Sequence, residues 1–120
     1  MNARHRARLR DIIEAIDQID QLLEGRDLAD LTSNKIFRAA FERFLEIVSE
    51  ASRHLPADLK DGAPETPWRR IADLGNHLRH AYQTVDIEIL WALYRKGELT
   101  SLRAVARELM NRSGSGQTSD

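Results

Sequence analysis

Five side chains suited to acid–base and phosphate chemistry fall within a short stretch of this chain: Asn76, His77, Arg79, His80 and Tyr82. A neutral imidazole near pH 7 can take the proton of a ribose 2′-hydroxyl, and an imidazolium can give one to a leaving oxygen. A guanidinium can hold the phosphate and stabilise the charge that grows on it. Together these groups are a minimal kit for cutting RNA without a metal. The same residues also suit a blander role, a polar helix end whose His and Tyr cap or hydrogen-bond a neighbouring helix. His77 and His80 are three apart, share a helix face and could bind a metal together, but two imidazoles are a weak pair. No metal and no other cofactor is expected. With no cysteine in the chain, a disulfide scaffold, thiolate-bound zinc, an iron–sulfur site and a cysteine nucleophile are excluded. No Gly-rich phosphate cradle and no His-Glu-x-x-His occurs.

These residues must be positioned by helices. The chain has 120 residues, one domain by length, and can bury a core without staples. Eighteen Lys plus Arg against nineteen Asp plus Glu exclude a strongly basic binder, though a local basic cluster is compatible with a net charge of −1. No apolar run approaches the roughly 18 residues that span a bilayer, and no secretory signal follows Met1, so a cytoplasmic protein is expected.

Leu9, Ile12, Ile13, Ile16, Ile19, Leu22 and Leu23 make one apolar stripe, which predicts a helix from about Arg6 to Glu24. Leu28 and Leu31 point inward from a wrapping segment. Thr32 or Ser33 caps a second helix, Asn34 to His54, whose wide face includes Phe37, Phe41 and Phe44 and suits a core or a dimer seam. Pro56 to Pro67 reads as an irregular loop. Thr66 and Pro67 open a third helix through Tyr82, Asp86 a fourth through Lys96, and Thr100 or Ser101 a short fifth through Met110. Residues 111–120 have nothing to bury and are expected to be a disordered tail. The fold class is all-α, an antiparallel four-helix bundle with a short fifth helix, in one domain over residues 1–110.

The segment Pro67-Trp68, Ile71-Ala72-Asp73-Leu74, Asn76, Leu78, His80, Tyr82, Val85-Asp86 and Ile89-Leu90-Trp91 resembles the HepT-like proteins of the HEPN superfamily, the toxin half of HepT/MNT toxin–antitoxin systems. Upstream, Ala39 to His54 is similar to the family's long second helix, with Ile47 through Ala51 near its usual Ile-x-Glu-Ala run. The resemblance implies a HEPN-like bundle that forms a homodimer with a shared groove. It implies a metal-independent ribonuclease acting on tRNA or mRNA, neutralised by an MNT-type nucleotidyltransferase antitoxin. Carried over, His80 is the catalytic histidine, Asn76 the polar residue after the family's arginine, and Tyr82 the tyrosine that the antitoxin modifies with AMP. Such a bulky anion would block RNA by occupancy and charge.

One position departs from the family. Its arginine lies five residues before the histidine, where this chain has Gly75. Arg79, Arg69, Arg70 or an arginine of a second subunit could replace it, and Arg69, Arg70 and His77 are further candidates for RNA contact. Arg79 is not an obvious replacement, since adjacent positions on a regular helix point about 100° apart. Gly75 could instead let the helix kink or another backbone approach closely. The alternative is a degenerate, non-catalytic module that serves a nucleotidyltransferase as partner or nucleotide-binding subunit. Trp68 and Trp91 read as core or interface, and Arg4, Arg6, Arg8 and Arg10 make the N-terminus basic.

Overall fold

The computed structural model describes residues 1–80 and 86–118, with side chains described for 1–79 and 86–112. Within them the chain is all-helical: α1 (Ala3–Leu23), α2 (Leu28–Ser33), α3 (Lys35–Arg53), α4 (Ala57–Lys60), α5 (Trp68–His80), α6 (Ile87–Arg95) and α7 (Glu98–Thr118). No helix among the described residues is long and apolar enough to cross a membrane.

The apolar stripe of α1 becomes the centre of the core. Leu9, Ile12, Ile16 and Ile19 are fully buried, joined by Phe41, Leu45 and Val48 of α3, Leu90 of α6 and Leu102, Ala106 and Leu109 of α7. Phe37 and Phe44 are only partly buried and flank this core, as do Trp68 and Trp91. Helix α3 packs on both α1 and α5, and α7 packs on α1 and α6, so α1 and α3 form the spine. Helices α1 and α7 run antiparallel. The guanidinium of Arg6 reaches the Met110 carbonyl oxygen at 3.5 Å. Farther along α1, Asp17 and Asp20 accept from Arg103 at 2.8 and 2.6 Å.

Local chemistry explains the helix boundaries and corrects several of them. Asn34, rather than Thr32 or Ser33, caps α3: its Oδ1 accepts from the Ile36 and Phe37 amides at 3.0 and 3.2 Å. The segment before it is a true helix, α2, because Asp27 and Asp30 form a reciprocal capping box. Leu31 is buried as expected and Leu28 partly so. The loop predicted between Pro56 and Pro67 contains the single turn of α4. Asp86 caps α6 as expected, with Oδ1 accepting from the Glu88 amide at 2.9 Å. Gly97, at φ +79°, turns the chain straight into α7, so this last helix begins at Glu98 rather than Thr100. It also runs past Met110 to Thr118, and Arg112 on it donates to the Gly62 carbonyl at 3.0 Å. The short member of the bundle is therefore α6, and α7 is one of the longest helices.

Candidate active site

The crossing of α3 over α5 is built on two small residues. Ser49 is fully buried; its Oγ donates to the Ala72 carbonyl at 3.0 Å and accepts from the Gly75 amide at 2.9 Å. A Cβ at position 75 would lie 2.4 Å from Ser49 Oγ and 2.9 Å from Ser49 Cβ. Gly75 is thus the residue that lets the two helices approach, and the kink reading is unnecessary. An arginine there has no room.

Above this crossing the side chains gather at the surface. Arg79 folds back along its own helix, so that its Nη1 would lie 3.4 Å from a Cβ on Gly75. Its Nη2 donates to Asn76 Oδ1 at 2.6 Å, and Arg53 Nη1, from α3, donates to the same oxygen at 3.2 Å. Glu50 accepts from Arg79 at 3.4 Å, lies 3.9 Å from Arg53 and pairs with His54 Nε2 at 2.9 Å. The hydrogen bond with His54 holds the Glu50 carboxyl below its ordinary value; burial opposes this, and the nearby Arg53 and Arg79 guanidiniums act in the same downward direction. Backbone geometry alone would have kept Arg79 away from the arginine position that Gly75 vacates. Its long, flexible stem brings the guanidinium back over it.

His80 is the last residue of α5, one turn beyond Asn76 and on the same helix stripe as Arg69. The His80 side chain and the whole of Tyr82 lie outside the described residues. Arg69 and Asn76 are exposed on this stripe. His77 and Arg70 belong elsewhere: with Ile71, Leu74, Leu93 and Leu102 they line a separate, largely apolar groove of about 800 Å³ between α5, α6 and α7, and Arg70 pairs with Glu98. His77 therefore does not join the Arg79 cluster. Among the described residues no three His, Asp or Glu side chains gather to hold a metal ion.

Sequence reasoning missed Arg53, Glu50 and His54. Their only local signal is spacing, since Glu50 lies three residues before Arg53 and four before His54 on one exposed helix edge. Nothing in that spacing says which helix covers the edge.

A profile of the family described as Ribonuclease HepT-like matches residues 12–109. The chain is 36% identical over 109 residues to a protein of Thermococcus cleftensis named "Probable ribonuclease HepT", covering 91% of this chain and 98% of that one. It is 33% identical over 91 residues to a candidate RNase of Methanocaldococcus jannaschii, covering 76% of this chain and 84% of that one. It is 27% identical over 104 residues to a candidate RNase of Caldanaerobacter subterraneus subsp. tengcongensis, with 87% and 92% covered. No solved structure matches. An all-helical chain whose family match runs from α1 to the middle of α7 through the Asn76–His80 segment belongs to the HepT-like family of the HEPN superfamily.

Proposed function

We propose that this chain is a metal-independent endoribonuclease of the toxin type, active as a homodimer and cutting tRNA or mRNA. The observation that carries this reading is the Arg79 guanidinium, folded over Gly75 onto Asn76 one turn from His80. In the reaction, His80 of one subunit takes the 2′-hydroxyl proton as O2′ bonds to phosphorus. The P–O5′ bond breaks, and His80 of the second subunit protonates the leaving 5′-oxygen, leaving a cyclic phosphate. Arg79 neutralises the charge on the non-bridging oxygens, and Asn76 fixes its orientation. Arg69, on the same stripe, extends the contact to a neighbouring phosphate.

The family's arginine is thereby relocated by one helical turn. That supports activity over the degenerate alternative, because Gly75 answers a packing demand at the α3/α5 crossing. An MNT-type nucleotidyltransferase partner is expected to silence the enzyme by adding AMP to Tyr82.

His80→Ala and Arg79→Ala should each abolish RNA cleavage by purified protein and relieve growth arrest on expression, with unchanged helical content. Full cleavage by His80→Ala would overturn the assignment. RNA binding without cleavage by the natural chain would support the degenerate module instead. Intact-mass measurement after co-expression with the nucleotidyltransferase tests the other half. An AMP-sized increment that persists in Tyr82→Phe would reject Tyr82.

A further inference from the structure

The Arg53–Arg79 cluster is one end of a longer feature. A groove of about 600 Å³ runs between α1, α3 and α5, and its lining includes Arg8, Arg43, Arg53 and Arg79. Each of these arginines is held by a nearby carboxylate. Arg8 lies 4.0 Å from Asp11, Arg43 3.2 Å from Glu46, and Arg53 and Arg79 share Glu50. All are solvent-accessible pairs, with side-chain exposures from 27% to 68%. Such solvent-exposed pairs contribute little to stability, so an incoming anion can replace the carboxylate at little cost.

A phosphate accepts the same bidentate guanidinium hydrogen bonds as a carboxylate, and in a polymer it also arrives as a row of charges that releases condensed counterions. The four cations come from three helices and line one groove, so one strand could meet them in turn. Three carboxylates against four guanidiniums leave the groove slightly positive, although the whole chain carries a net charge of −1. The contrasting groove, lined by Ile71, Leu74 and Leu93, offers no such row.

We propose that the α1/α3/α5 groove is the path of a single RNA strand, whose phosphates displace Asp11, Glu46 and Glu50 from Arg8, Arg43 and Arg53. This rests on the ribonuclease reading and adds to it the substrate track leading away from Arg79. It gives the basic N-terminus a defined role, through Arg8. It also gives Glu50 one: in the free protein its carboxylate occupies the place that a phosphate takes in the complex.

The test is binding of a fluorescein-labelled single-stranded oligouridylate, measured by anisotropy from about 50 to 200 mM salt, in the His80→Ala background to keep the probe intact. Arg43→Ala and Arg53→Ala should each weaken binding about three- to tenfold at low salt and lower the salt exponent by about 0.7. Arg43→Lys should keep the exponent, and Glu46→Gln should tighten binding. Arg43 is exposed on α3, so its variants should stay folded, which circular dichroism verifies. Unchanged affinity and exponent in both alanine variants would overturn the track, as would loss of binding confined to Arg69→Ala or Arg70→Ala, or no RNA binding at all. The two readings fail separately. Cleavage that survives His80→Ala removes the nuclease assignment, whereas exponents that ignore Arg43 and Arg53 remove only the track.

Discussion

Gly75→Ala isolates the physical claim on which the relocated arginine depends. The added methyl would sit 2.4 Å from Ser49 Oγ and 2.9 Å from Ser49 Cβ, both far inside contact distance. Ser49 is fully buried and is held by hydrogen bonds to Ala72 and Gly75, so any retreat of its hydroxyl breaks those bonds. Overpacking of this kind costs about 1–3 kcal/mol. Disturbing the Ser49 hydrogen bonds adds about 1 kcal/mol. The higher helix propensity of alanine returns about 1 kcal/mol. The net is a destabilisation of about 1–3 kcal/mol, or a fall in Tm of about 4–12 °C for a chain of this size. Thermal and urea unfolding, followed by circular dichroism at one fixed protein concentration, measure it. A double-mutant cycle identifies the cause. In a Ser49→Gly background the clash is gone, so Gly75→Ala should cost at least about 1 kcal/mol less. If Gly75→Ala melts at or above the natural chain, or if the two changes are additive, the close helix approach is not what selects glycine here. Gly75 would then no longer speak against a lost nuclease.

Ion pairs set two further outcomes, one at the α1/α7 contact and one beside Arg79. Arg103 is largely buried, at 16% side-chain exposure, and ties α7 to Asp17 and Asp20 of α1. Arg103→Ala should cost about 1–2 kcal/mol in urea unfolding, since both carboxylates keep access to water; a loss below about 0.3 kcal/mol would refute the tie. Glu50 titrates below its ordinary value of 4.5, chiefly through its hydrogen bond with His54. A depressed carboxyl stabilises the fold fully above that ordinary value and loses the contribution as pH falls through the lower, folded value. Stability measured from about pH 6 down to 3 should therefore drop slightly more steeply for the natural chain than for Glu50→Gln, and parallel curves would reject the coupling.

Much of the fold was legible because helix formation and capping are local. The stripe Leu9–Ile12–Ile16–Ile19 repeats at the helical period, and those residues are fully buried. Asp86 and Gly97 signal a start and a stop through their own backbone and side-chain chemistry, and both act as read. The misread boundaries have equally local causes. The Asp27–Asp30 capping box turns the segment before α3 into a helix that takes in Thr32 and Ser33, so Asn34 is left as the cap. Residues 111–120 carry no apolar stripe, so periodicity gives the far end of α7 no place in the fold. Yet Arg112 is tied to the Gly62 carbonyl across the loop, a contact no periodicity announces.

The cluster around the candidate site divides along the same line. Asn76, Arg79 and the position of His80 were recoverable from residue types and family pattern, because they lie within about one turn of α5. Arg53, Glu50 and His54 were not, because they reach the site from α3, more than twenty residues earlier. Residue types and helical period alone specify a helical chain with an amide, a guanidinium and an imidazole at one helix end. The role of Gly75 emerges from packing between helices far apart in the chain. Two backbones meeting at Ser49 exclude any side chain there, and that meeting carries the α3 cation to the place where Arg79 folds back.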